Sequence, residues 1–188
     1  MRLFRILSLM LVVLAPSAYA DSPYQVEMIL VRQNAEPELS SRAAPEDWDA
    51  GAVHLGDKMS PPRPSTIVDK LRADTNYTVL AHKAWEQNLG EQPVKIAITE
   101  GPEQFGQFPI EGVLSLQLGR FTDIDADFWI NRFDSNGSVI ASEHMAQKDV
   151  RTKNNQLNYL DGGHLALLIK ITSLTAKQPS APPVDFQD

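Results

Sequence analysis

Between Gly112 and Phe133 the chain reads GVLSLQLGRFTDIDADFWINRF, and its apolar residues recur at every second position. Leu114, Leu116 and Leu118 share one parity, with Ser115 and Gln117 on the other; past Gly119-Arg120, Ile124, Ala126 and Phe128 alternate with Asp123, Asp125 and Asp127. Side chains along a strand point alternately to its two faces, so a period of two commits this segment to a sheet with one face buried. Gly119-Arg120 supplies a bend or bulge between the two runs. The tetrad Asp134-Ser135-Asn136-Gly137 then carries the residues that a tight reversal with positive φ requires, and a returning strand follows over Ser138–Val150.

The other segments extend the same pattern. YQVEMILVR, from Tyr24 to Arg32, alternates and then becomes fully apolar, as in a strand that enters a core from an edge. Residues 33–64 hold Pro37, Pro45, Pro61, Pro62 and Pro64 among acids and scattered apolar residues, which predicts a long loop stapled to the body by Trp48. Pro64, an N-cap at Ser65 or Thr66 and Asp69 three residues after Thr66 open a helix of two to three turns, with Ile67, Val68 and Leu71 as its apolar stripe. In YTVLAHKAWEQ, Tyr77, Val79, Ala81, Lys83 and Trp85 share one strand face. Val94–Thr99 is a short strand, QLNYL a further one, and HLALLIKITSL, set off by Asp161-Gly162-Gly163, a central one. The predicted fold is α+β: a single mainly antiparallel β-sheet with one short helix after the first strand and long loops. One short helix covers part of one face, which leaves the other solvated, closed by curvature, covered by loops or free to bind.

The N-terminus gives an address. Arg2 and Arg5 precede an apolar run from Ile6 to Ala15, then Pro16 and the small-residue pattern Ala18-Tyr19-Ala20, the signature of a secretory signal peptide cleaved after Ala20. The run is about half of what crosses a bilayer, so a transmembrane anchor does not fit. Position 21 is Asp, and the chain contains no cysteine, which excludes lipidation there, disulfides, thiolate metal sites and a cysteine nucleophile. Cleavage takes the net charge from −7 to −9 by removing Arg2 and Arg5, an acidic balance that argues against nucleic acid. Residues 21–175 form the expected single domain, and the Pro-rich tail 176–188 has no periodicity and reads as disordered. A soluble periplasmic protein is the expectation.

Reactive chemistry is hard to find in this sequence. No G-x-S-x-G or S-x-x-K occurs, and His54, His82, His144 and His164 lack metal-ligand spacing, so neither a metal nor another cofactor is expected. The one constellation is the row Asp123, Asp125, Asp127, whose carboxylates leave a strand on one side about 7 Å apart. Such a row suits a cation, a contact for amino groups, an acid–base pair or a solvated face that discourages edge pairing. If Phe128 points inward with Ile124 and Ala126, Trp129 joins the Asp face. Asn76-Tyr77-Thr78 and Asn136-Gly137-Ser138 match the glycosylation pattern but read as turn residues.

The segments YQVEMILVRQN, LRADTNYTVLAHKAWEQ, GVLSLQLGRFTDIDADFWI and MAQKDVRTKNNQLNYLDGGHLALLIKI, in that order, resemble the CsiV family of periplasmic peptidoglycan-binding, cell shape integrity proteins. The resemblance implies a non-enzymatic protein that contacts peptidoglycan and works with a class A penicillin-binding protein through its lipoprotein activator. Aromatic and carboxylate placement then nominates Tyr77, Trp85 and Trp129 as sugar-stacking residues and Asp123, Asp125 and Asp127 as partners for amine or hydroxyl groups. An adaptor that binds a synthase regulator through a sheet edge or the 33–64 loop, without glycan contact, is the alternative.

Overall fold

The computed structural model describes residues 21–36, 38, 40–56, 59–62 and 65–175; the expected signal peptide and Pro-rich tail lie outside them. In chain order the elements are β1 (Ser22–Gln33), β2 (Ser40–Ser41), β3 (Val53–His54), β4 (Met59–Ser60), α1 (Thr66–Ala73), β5 (Tyr77–Leu89), β6 (Val94–Glu100), β7 (Ile110–Leu118), β8 (Thr122–Phe133), β9 (Val139–Thr152), β10 (Leu157–Asp161) and β11 (Leu165–Ser173). They build two sheets rather than the single one expected: a first sheet ordered β10-β11-β1-β5-β4 and a second ordered β2-β9-β8-β7-β6-β3. Pairing is antiparallel throughout except where β3 runs parallel to β6.

Burial explains the second sheet. Both strand groups carry a full apolar face, and an eight-residue helix is too small to cover either. The faces therefore cover each other. Val26, Met28, Leu30, Trp85, Leu167 and Ile169 of the first sheet meet Ile96, Leu114, Leu116, Ile124, Phe128 and Met145 of the second in one core. Gly112 makes room in that core, since a Cβ there would collide with the Phe128 ring. α1 takes the outer side of the first sheet, where Val68 and Leu71 pack on Ile29, Val31 and Ala166. It starts after Ser65 as its sequence indicated and stops at Asp74, although the Ser65 side chain makes no capping hydrogen bond.

Two strand details differ from the simple periodicity. β5 carries one extra residue, Leu80, opposite the Leu30/Val31 step of β1, and this bulge exchanges the faces of the residues on either side of it. Tyr77 and Val79 consequently face the helix, while Ala81 and Trp85 face the core. Gly119-Arg120 lies in a full reversal, because Leu118 and Thr122 pair directly. After β8, Gly137 alone supplies a positive φ of 84°, and Asp134 closes the turn by accepting hydrogen bonds from the Asn136 and Ser138 N–H groups. Residues 33–64, expected as loop, contain β2, β3 and β4, with Ala44 and Leu55 as buried anchors.

Ion pairs tie the sheets together at their margins. Arg32 on β1 grips Glu143 on β9 with two hydrogen bonds, Nε to Oε2 at 2.8 Å and Nη2 to Oε1, while Lys83 on β5 pairs with Glu100 on β6. The Glu143 side chain is 4% exposed, and its carboxylate holds the Arg32 guanidinium pKa up. Beside it, buried His164 puts Nε2 3.6 Å from Glu143 Oε2 with neither ring nitrogen hydrogen-bonded. Glu111, also buried, accepts from the Phe108 N–H at 2.9 Å and from Asn131 Nδ2 at 2.7 Å; burial pushes its carboxyl up against the opposing pull of those bonds. Removing one member of a buried pair leaves the other uncompensated. Glu143→Ala is expected to cost about 2–4 kcal/mol in urea unfolding at unchanged m, the lower figure reflecting the part-exposed Arg32.

Candidate functional site

β8 places the carboxylate row as its parity demands. Ile124, Ala126, Phe128 and Ile130 are in the core, so Asp123, Asp125, Asp127 and Trp129 share the outer face of the second sheet. Each carboxylate is then held from β9. Arg151 Nε donates to Asp123 Oδ1 at 3.3 Å, the Asp149 N–H donates to Asp125 Oδ1 at 2.8 Å, and His144 Nε2 lies 2.5 Å from Asp127 Oδ1. The middle contact is made by a bulge: the register steps from Ile124↔Val150 to Ala126↔Gln147, so Lys148 and Asp149 together oppose Asp125. Asp149 adopts φ 54° there, in the left-handed region that Asp tolerates better than most residues.

The aromatic candidates are not brought together. Trp129 does reach the Asp face, but its ring is stacked on His144 with centroids 4.6 Å apart and planes 15° apart, and it is 9% exposed. It therefore orients the imidazole that holds Asp127, and little of its own face is open to a sugar. Trp85 is 0% exposed between the two sheets and has no face to offer, so the stacking role expected of it is corrected to a core role. Tyr77 packs with the α1 cluster on the outer side of the first sheet, across the sandwich from the carboxylates, because the Leu80 bulge turns it away.

The aromatic residue that meets the row is Trp48. A turn closed by its N–H to the Pro45 carbonyl positions it, and its ring stands edge-on to His54 at 6.4 Å, with His54 Nε2 2.8 Å from Asp49 Oδ2. Half-buried, Trp48 walls a groove of about 220 Å³ whose other lining includes Lys95, Ser115, Asp125, Asp127 and Lys148. An adjoining lobe of about 200 Å³ is lined by Pro93, Gln117, Asp123 and Asp149 and shares Lys95, Ser115 and Asp125 with the first. The two lobes thus form one shallow strip along part of the outer face of the second sheet. Lys95 was available to the parity argument, since it has the opposite parity to buried Ile96 and Ile98, whereas Trp48 sits in a segment without any period.

A larger concavity of about 480 Å³ lies on the outer side of the first sheet, beyond the reach of α1, with Gln25, Glu27, Glu86 and Lys170 in its lining. His82 Nε2 is 2.8 Å from Glu27 Oε1 in this region. None of the described residues lining it is aromatic. No described helix is long and apolar enough to cross a membrane.

A family model described as "Peptidoglycan-binding protein, CsiV" matches residues 3–65 and 57–174 of the chain. No curated protein and no solved structure matches it. The unequal placement of the three tryptophans is itself measurable. Acrylamide quenching of the intrinsic fluorescence is expected to lose most of its accessible component in Trp48→Phe, whereas Trp129→Phe leaves that component in place.

Proposed function

The chain belongs to the CsiV family of peptidoglycan-binding proteins, and from that premise we propose that it holds the cell wall through the outer face of its second sheet, without cleaving it. The observation that carries this reading is the groove in which a half-buried tryptophan, two lysines and the carboxylate row meet on one open sheet surface. Flat rings, cations and carboxylates match the sugar faces, acids and amines of a wall polymer. Hydrolysis of a glycosidic bond uses two carboxyls placed across the sugar from each other, and here all three project from one strand in the same direction.

The address supports the same reading. Arg2, Arg5, the apolar run and Ala18-Tyr19-Ala20 send the chain to the periplasm, where the wall is. There it supports wall synthesis and cell shape by acting with a class A penicillin-binding protein through its lipoprotein activator. A purely adaptor role is the second reading, and Phe105 favours it. This ring is 86% exposed at φ 51°, on a turn tied by backbone bonds of 2.8 and 3.1 Å between Gln104 and Gln107, which is the form of a presented protein-docking anchor.

Sedimentation with purified sacculi separates the two. The unmodified protein is expected in the pellet, Trp48→Ala is expected to weaken retention about tenfold, and Tyr159→Ala, on the opposite outer face, is expected to pellet normally. Unmodified protein left in the supernatant would contradict wall binding and favour the adaptor.

A further inference from the structure

The strip on the second sheet has a charge order that a neutral sugar does not use. Lys95 on β6 is the register partner of Ser115 on β7, and Ser115 is the register partner of Asp125 on β8. Neighbouring strands lie about 4.8 Å apart, so these three residues form a lateral line with a cation and an anion about 10 Å apart over a small hydroxyl floor. Both lobes of the groove share all three residues. Among the described residues, Lys95 belongs to no ion pair, and Lys148, raised at the groove wall by the bulge, belongs to none either. Asp125 is exposed and already aimed by the Asp149 N–H, whereas Asp123 and Asp127 have cationic or imidazole partners of their own.

Resting on the wall-binding reading, we propose that this groove recognises the peptide arm of peptidoglycan rather than its glycan: a short peptide that carries a free amine and a free carboxylate. The amine pairs with Asp125 and the carboxylate with Lys95, with Ser115 leaving the space between them for the connecting chain. A neutral sugar laid on the same strip would remove water from both charges and return no counter-charge, which costs affinity, while a dipolar ligand satisfies both at once. The aromatic inventory points the same way, since of the three tryptophans only Trp48 presents a usable ring here. Its half-buried position closes one side of the groove against the peptide backbone.

Calorimetric titration tests this with three soluble probes: a disaccharide-peptide fragment from purified sacculi, a neutral N-acetylglucosamine disaccharide that carries no peptide, and the peptide released from the fragment by an amidase. The full chain is expected to bind the fragment and the free peptide comparably and the bare disaccharide at least about tenfold more weakly. Acetylating the peptide amine is expected to cost about tenfold, and Asp125→Asn the same, but the two losses should not add, because both remove one contact. Lys95→Glu should abolish peptide binding, and Lys95→Arg should keep it. Equal binding of the bare disaccharide would overturn the peptide assignment while leaving wall binding intact. Undiminished peptide binding by Lys95→Glu and Asp125→Asn would overturn the location, and loss of retention on intact sacculi by the unmodified protein would overturn both readings together.

Discussion

The period of two in β8 is the constraint on which the rest of this molecule depends. It sends Ile124, Ala126, Phe128 and Ile130 inward and Asp123, Asp125, Asp127 and Trp129 outward, and neither set can move without the other. A register slip of one residue would bury three carboxylates against Met28 and Trp85, at several kcal/mol for each desolvated charge. Burial of the apolar parity against β1, β5 and β11 therefore fixes the polar parity as well. Core and candidate site are two faces of one choice.

The two outer faces are treated differently, and the proposed site lies on the one that no described helix covers. The first sheet hides part of its outer face under α1, whose Val68 and Leu71 complete a small second core with Ile29 and Val31. Among the described residues no helix covers the second sheet, whose outer face is buried at its Glu111–Asn131 end and open along the carboxylate row. Its outer face instead carries a row of side chains held in place by neighbours: Arg151 on Asp123, the Asp149 N–H on Asp125, and a Trp129–His144 stack behind Asp127. Positioned polar groups on a rigid sheet lose little entropy when a ligand arrives, and an open strip suits a long polymer better than a deep pocket does.

The long strands were legible because they rest on local alternation, whereas β2, β3 and β4 lie in the stretch expected as loop. The boundaries of β1, β5, β6 and β9 fall within about three residues of those read from periodicity, and the Phe128 parity correctly placed Trp129 beside the carboxylates. What periodicity does not encode is the partner of each face. One sheet and two sheets produce the same alternation, and the distinction lies in how much apolar face a helix of eight residues leaves uncovered. The misplaced aromatics have local causes. A one-residue bulge at Leu80 separates Tyr77 from Trp85, and it has no signature in YTVLAHKAWEQ such as a glycine. Trp48 reaches the site through a turn and a two-residue strand in a segment with no period at all. Lys95 and Ser115 were visible as outward positions, but their alignment with Asp125 is a property of interstrand register, which appears only when the sheet is assembled.

The central claim is that a wall fragment rests on the outer face of the second sheet, and mapping amide and indole resonances during titration with soluble disaccharide-peptide addresses it directly. The account predicts that the largest shifts fall on Lys95, Ser115, Asp125, Lys148 and the Trp48 indole, with the Trp85 indole unmoved. Shifts confined to Gln25, Glu27, Glu86 and Lys170, in the concavity of the first sheet, would contradict it.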